Sequence, residues 1–294
     1  MLVIDLGQSG ARIKFQNKIT LLTRGKLNGE PVYDALKSIF ELLPPMEADL
    51  VTLSCTGFNG IVSNEKLLFN LCETFFGAKK VAVIDDGLAG FIGANNGKNG
   101  VALTLGGGVV AIGGKNGVYS HRDGLGSTFG DEGGGYWLGK LALTKALGIR
   151  QGRGSDAEMF EYFASECEAY DNLEIKNGPD AATLAINSAK KVLEAADNEV
   201  QSAISIVNEG AFLLSQTLIA AWKGCGGKAD EQVEYVIQGG LAQNSNYVTK
   251  INKHVEAKLS NSVLVKSKGD NIDGASWIAL NMLVDSPPLL RWVN

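Results

Sequence analysis

The sequence predicts an α/β protein of two related halves, each a mixed β-sheet covered by helices, with a ligand cleft between them. Three observations predict it. A unit of strand, glycine turn, strand, short turn and strand occurs twice; strand-like and helix-like apolar periods alternate after each copy; and 294 residues exceed the commonest single-domain size.

The first copy opens with the apolar strand Leu2–Leu6, turns at Gly7-Gln8-Ser9-Gly10, returns along Arg12–Gln16, turns at Asn17-Lys18 and continues as Ile19–Thr23. The second runs Val101–Leu105, Gly106-Gly107-Gly108, Val109–Gly113, Lys115-Asn116-Gly117 and Val118–His121. After the first come a helix at Tyr33–Leu43, a strand at Leu50–Cys55, a helix at Glu65–Phe76 and a strand at Lys80–Ile84. After the second come helices at Asp131–Leu147, Ala181–Ala196 and Val200–Trp222, then strands Val233–Ile237 and Ser262–Val265 around a helix from Asn244 to Leu259. Alternation of this kind points to helices laid on mixed sheets rather than to an all-β sandwich. The pattern changes near Gly97–Val110, which gives a first lobe of residues 1–105 and a second of 106–274. The final helix, Ala275–Val284, and residues 275–294 as a whole are expected to pack back on the first lobe.

Composition narrows the function. A hydrophobic content of 45% with 20% charged residues is that of a soluble globular chain, and the formal net charge of -5 argues against nucleic acid as a partner. Small anionic ligands stay open, because backbone amides and magnesium hold a triphosphate without a basic surface. Cys55, Cys72, Cys167 and Cys225 form no CxxC pair and read as reduced thiols. The start MLVIDLGQSG has no secretion-signal pattern, and no apolar run reads as a bilayer span, so a cytoplasmic location without membrane contact is expected. His121 and His254 are isolated and read as surface or hairpin residues. The stretch Phe69–Phe76 and the helix Val200–Trp222 read as core.

The glycine turns carry the chemistry. Asp5 ends a strand beside a turn whose glycines let the chain approach phosphate oxygens and whose amides donate to them. Gly106-Gly107-Gly108 repeats the arrangement with more glycine than a plain hairpin needs, although a bulge or close strand packing also uses it. Two such turns at equivalent places would face each other as a phosphate clamp. Neither is a Walker loop, and GxGxxG spacing is absent after the first strand, so P-loop and Rossmann classes are excluded. Gln238-Gly239-Gly240-Leu241 ends a strand in two glycines, suited either to the face of an adenosine or to a helix start.

With these pieces placed, the chain resembles the N-acetylglucosamine kinase and BadF/BadG/BcrA/BcrD ATPase family of the actin, Hsp70 and hexokinase superfamily. The most specific match is Gly124–Gly139, GLGSTFGDEGGGYWLG, similar to the family's GWGxxxGDEGSGYxxG run. Five elements fall in family order: the two turns, Asp86 in IDDGLA, Gly239-Gly240, and Gly274-Ala275-Ser276-Trp277. The resemblance implies ribonuclease H-like, actin-like lobes and an ATP-dependent kinase that forms a homodimer and acts on an amino sugar or related hexose, N-acetylglucosamine or glucosamine foremost, with ATP and magnesium.

It also implies site residues. Asp86 would be the general base and a sugar contact, with Asp85 in its place if the strand register slips by one; an Asp-Asp-Gly at a strand end is otherwise a helix cap. Gly7, Gln8, Ser9, Gly106, Gly107 and Gly108 would bind the ATP phosphates, and Gly239 and Gly240 the adenosine. Asn28, Gly124 and Asp131 would contact the sugar. Asp5 would hold magnesium through water. Asp131 also suits the cap of a helix Glu132–Ala146, and Glu132 the support of that first turn. The sequence departs from the family at Gly10, where a basic residue or threonine is usual, at Gly107, Val109 and Val110, where threonine, serine and asparagine are usual, and at Leu125, where tryptophan is usual. Those changes leave two further readings open, a non-catalytic sugar or nucleotide sensor and an activator ATPase that feeds electrons through an iron-sulfur cluster.

Overall fold

The computed structural model describes residues 1–16, 18–27 and 29–294. In chain order the elements are β1 (Leu2–Leu6), β2 (Ala11–Phe15), β3 (Lys18–Leu22), α1 (Val32–Phe40), β4 (Leu50–Cys55), α2 (Glu65–Phe76), β5 (Lys80–Asp85) and α3 (Asp86–Asn95). They continue with β6 (Gly100–Leu105), β7 (Val109–Lys115), β8 (Val118–Asp123), α4 (Gly135–Arg150), α5 (Ala157–Tyr162), α6 (Ala164–Asp171), α7 (Pro179–Asp197) and α8 (Gln201–Gly224). Last come β9 (Val233–Gln238), a 3-10 turn at Gly240–Gln243, α9 (Ser245–Glu256), β10 (Ser262–Leu264), α10 (Asn271–Asn281) and β11 (Leu290–Val293).

The duplication seen in the sequence is a duplication of topology. One sheet runs β11-β5-β4-β1-β2-β3 and the other β10-β9-β6-β7-β8. In each, the first strand pairs antiparallel with the second and parallel with the fourth. The glycine turns are therefore the same hairpin in two copies. β6 belongs to the second sheet, so the division between the sheets falls at the α3–β6 junction, ahead of the 105/106 boundary read from the sequence. β11 returns to the first sheet and pairs antiparallel with β5.

Three apolar clusters hold the fold. One packs β1, β2, β4 and β5 against α1 and α2. A second packs the other sheet against α4, α7, α8 and α9. The third joins the lobes: Leu88, Phe91 and Ile92 of α3 and Ile272, Ala275 and Ile278 of α10 lie with Val3 and Ile84 of one sheet and Ala102, Ile112 and Val236 of the other. Burial of this shared layer is the main attraction between the halves. The α3–α10 contact is close enough that a Cβ on Gly93 would meet the Asp270 carbonyl oxygen at 2.0 Å, and one on Gly274 the Ala89 carbonyl oxygen at 1.8 Å. Only glycine permits that approach.

Several elements differ from expectation. α3 and β11 were not read from the sequence, and neither were α5 and α6. The helix expected from Asp131 begins at Gly135, because Gly134 rather than Asp131 occupies the N-cap position. Asp131 therefore does not cap it. By length and composition α8 is apolar enough to cross a membrane, with mean hydropathy 1.3, although polar residues interrupt its apolar run; half of that window is buried, and the helix packs on α7, α9 and the second sheet.

Candidate functional site

The site forms where both hairpins reach the start of α3. Asp85 ends β5 and is the N-cap of α3; its Oδ1 accepts from the Gly87 amide at 3.0 Å and its Oδ2 from the Gly60 amide at 2.9 Å. Both oxygens are thus engaged in holding backbone. Asp86 is the first helical residue and half-buried, and the nearby Thr56 side chain favours its charged form. Burial, and then the charges of Asp85 and Asp5, push its carboxyl up to about 7. Nearby negative charge and desolvation both favour the neutral form, which is how a carboxyl comes to titrate near neutrality. Asp85 is the helix cap, with its carboxyl raised by burial and both oxygens engaged, whereas Asp86 is raised to about 7 beside it.

The first hairpin reaches Asp86 through Asp5. Asp5 is buried on β1, and its Oδ1 accepts from Ser54 Oγ at 2.9 Å. Its Oδ2 accepts from Arg12 Nε at 3.0 Å and Nη2 at 2.6 Å. The Gly7 amide turns inward to the Gly10 carbonyl at 2.9 Å. The amides of Gln8 and Ser9 have no acceptor among the described residues and are the outward donors of the loop.

The second hairpin reaches α3 through Val110, whose Cγ1 would lie 3.1 Å from a Cβ on Gly87. Its loop is pinned from below: Gly135 and Tyr136 amides donate to the Gly106 and Gly107 carbonyls at 2.9 Å each, and the Val109 amide donates to Asp131 Oδ1 at 2.9 Å. The Gly106 amide is taken by the Gly108 carbonyl, which leaves Gly107 and Gly108 as outward donors among the described residues. Asp131 lies against Gly108, where a Cβ would meet Oδ2 at 2.8 Å, and burial raises its carboxyl. The GDEG segment thus serves here as the floor of the second turn.

Gly239 follows β9 with φ 105°, and a Cβ there would meet the Leu105 carbonyl oxygen at 2.2 Å, so this turn abuts the second hairpin. Beside it a cavity of about 210 Å³ is lined by Gly240, Asn244 and, from α7, Lys190 and Glu194. A larger cavity of about 460 Å³ opens between Gln8 of the first hairpin and Thr56, with Tyr33, Asn59, Ser63 and Asn64 among its walls. Gly124 has φ 68° and donates its amide to the Val109 carbonyl at 2.8 Å, at the end of β8. Asn28 lies outside the described residues.

Sequence reasoning missed Thr56 and Arg12; it read His121 as a surface or hairpin residue, and His121 lies in the β7–β8 hairpin. The histidine is half-buried at the seam, packed on Gly60 and Gly124, with Nε2 4.0 Å from Asp85 Oδ1. Asp5 opposite Arg12 follows from counting outward from the turn, since Leu6 pairs with Ala11 and the next pair out is Asp5 with Arg12.

Two lobes of one topology, joined through a shared helix pair with paired glycine hairpins at the seam, define the actin-like ATPase and sugar-kinase architecture. The chain belongs to the BadF/BadG/BcrA/BcrD ATPase family, whose model matches residues 19–279. Among solved structures it is similar to a protein designated an N-acetylglucosamine kinase from Chromobacterium violaceum, with 18% identity, a TM-score of 0.68, and coverage of 96% of this chain and 99% of that one. A protein so designated from Porphyromonas gingivalis gives 14% identity, a TM-score of 0.65, and coverage of 96% and 99%. A ROK family glucokinase from Streptomyces griseus, solved with glucose and AMPPNP, gives 14% identity, a TM-score of 0.57, and coverage of 96% and 100%. At these identities the shared property is the fold. A search of curated protein sequences found no match.

Proposed function

We propose that the protein is an ATP-dependent kinase that phosphorylates a hydroxyl of an amino sugar or related hexose, with N-acetylglucosamine or glucosamine foremost. The observation that carries this reading is Asp86: a carboxyl tuned to about 7, at a helix start, between two loops that present free amides. A general base works best when its pKa lies near the operating pH.

In this reading the sugar occupies the cavity beside Thr56, with Gly124 and Asn28 as further contacts. The ATP phosphates lie on the amides of Gln8, Ser9, Gly107 and Gly108, and the adenosine on Gly239 and Gly240. Asp131 acts by holding the second turn in shape. Asp86 accepts the proton of the attacking hydroxyl, that oxygen bonds to the γ-phosphorus, and the bond to the bridging oxygen breaks to release ADP. Both Asp5 oxygens already accept hydrogen bonds, and among the described residues no group of three or more acidic, histidine or cysteine side chains gathers at one point, which suits Asp5 to a metal-bound water rather than to the ion itself. Magnesium arriving with ATP supplies charge neutralisation across the phosphoryl oxygens.

The test is ADP release with a panel of hexoses, native protein against Asp86→Asn. Sugar-stimulated turnover that the substitution abolishes supports the reading; none in the native protein removes it. One observation favours a second reading, a binding protein without turnover: Val110 fills space against Gly87 and Gly124 where the family has a polar side chain. Calorimetry showing sugar or ATP binding with no phosphorylated product would decide for it. All four cysteines are buried, so the electron-transfer activator reading gains nothing from the fold.

A further inference from the structure

The helical layer over the second sheet holds a cavity outside the cleft. It measures about 560 Å³, against about 460 Å³ beside Thr56, and lies between α4, the end of α6 and the start of α7. Tyr136, Leu143 and Leu147 of α4 form one wall, and Tyr170, Pro179 and Ala182 form the other.

The charge of this cavity is one-sided. Lys140 and Lys176 line it, and no acidic side chain does. Lys140 is exposed, stands 5.8 Å from the centre of the Tyr136 ring, and has no acidic partner among the described residues. Lys176 lies 4.9 Å from the Tyr170 ring centre, and its ammonium donates to the Tyr170 carbonyl at 2.5 Å and to the Asp171 carbonyl. The end of α6 thus fixes that ammonium and leaves it one donor of three. The Asp171 carboxylate is itself taken by Arg150, at 2.6 and 2.9 Å. The start of α7 adds to the same side of the balance. Gly178 supplies no side-chain cap, and the Asp180 and Ala181 amides have no acceptor among the described residues. A helix start of this kind carries partial positive charge and free donors. The Asp180 carboxylate answers part of the helix charge, and the two lysines stay unanswered.

The walls of the cavity also hold the second turn. The Tyr136 amide donates to the Gly107 carbonyl, and Ser127, from the segment between β8 and α4, closes one side. On α7, Ala185 lines the cavity while its neighbour Ile186 packs on Gly107, where a Cβ would lie 3.2 Å from its Cδ1.

We propose that this cavity is a second ligand site, for a phosphomonoester carried on a sugar or a nucleoside, and that its occupant steadies the second turn. The phosphate meets Lys140, Lys176 and the free amides of α7, and the ring lies between Tyr136 and Tyr170. Lysine serves a phosphate as a point charge, and tyrosine rings supply apolar area with a polar edge. The site stands whether or not the cleft is a kinase centre.

Isothermal titration calorimetry with glucose 6-phosphate, AMP and inorganic phosphate tests it on the native protein, Lys140→Gln and Ala182→Phe. The first variant removes an exposed charge and the second fills space at a half-buried wall, so both are expected to keep the native thermal transition. At least one of the two esters is expected to bind the native protein, and the one that binds identifies the carrier. Its affinity should fall about tenfold in Lys140→Gln and by more in Ala182→Phe. Hydrogen exchange of residues 106–110 should slow when it binds. Binding of neither ester overturns the site, and so does binding that both variants retain at native strength. Inorganic phosphate binding as tightly as the ester overturns the part given to the ring. Unchanged exchange at 106–110 with the ester bound overturns the link to the second turn.

Discussion

Asp86→Asn makes opposite predictions for stability and for activity, and the same cause produces both. Asp86 is displaced from an ordinary value of 3.8 to about 7 by burial and by its acidic neighbours. A folded-state pKa above the unfolded one means that the native protein binds the extra proton between those two values. Stability attributable to this group is therefore fully present below about 4, falls as pH rises, and is lost by about pH 7. Each pH unit is about 1.4 kcal/mol, so the ionised group costs about 4 kcal/mol at pH 8 if unscreened, and on the order of 2–3 kcal/mol once its partial exposure is allowed for. An asparagine of the same shape carries no such charge. Urea unfolding at pH 8 should show Asp86→Asn more stable than native by on the order of 2 kcal/mol, and at pH 5 the advantage should shrink to below about 1 kcal/mol. Sugar-stimulated turnover should fall by about 10²–10⁴, the usual contribution of a general base. In the native protein the rate should rise with pH through an apparent pKa near 7. A variant no more stable at pH 8 than at pH 5, relative to native, would refute the burial argument; one that keeps native turnover would refute the base.

The remaining predictions concern the supports of the two turns. Asp131→Ala leaves the Val109 amide without its acceptor, so about 1–3 kcal/mol of stability should be lost and KM for ATP should rise more than kcat falls, measured by urea unfolding and steady-state kinetics. Gly239→Ala places a Cβ 2.2 Å from the Leu105 carbonyl at positive φ, and should cost on the order of 2 kcal/mol and weaken adenosine binding. Gly139→Val drives a side chain into the Ala185 carbonyl, where even a Cβ would sit at 1.7 Å; separation of α4 from α7 should appear as loss of cooperative thermal unfolding.

The strands other than β11 were legible because apolar runs bounded by glycine and asparagine turns are a local signal, and the repeat of that signal pointed to two related halves. α3 was not legible, for a physical reason. Gly87, Gly90 and Gly93 lower helix propensity and read as loop, yet a Cβ on Gly90 would crowd Asn271 and one on Gly93 would meet the Asp270 carbonyl. Tertiary contact with α10, some 180 residues away, decides that segment. β11 escaped for the same kind of reason, since Leu290–Val293 becomes a strand by pairing with β5 across a long stretch of chain. Within the site, the turns were legible from glycine spacing, whereas Asp86 was singled out by the family resemblance alone. Thr56 and His121 were not legible there, because what brings them to the acids is the parallel pairing of β4 with β5 and the approach of two sheets, neither of which leaves a periodic trace in sequence.

The altered second turn is better understood through what its side chains touch than through what they lack. Val109 is buried in the core beneath the second sheet, while its amide goes to Asp131. Val110 faces the other way, against Gly87 at the start of α3 and against Gly124. A polar side chain at 110 would have to find a partner in that contact or leave one unsatisfied at a cost of about 1–3 kcal/mol. Valine instead seals the seam between the second hairpin and the helix that carries Asp86, and excluding water there helps to keep that carboxyl near neutrality. The same substitution that removes a polar group from the second turn thus contributes to the environment of the first acid of α3. The backbone amides proposed to meet phosphate do not depend on the side chain at 110.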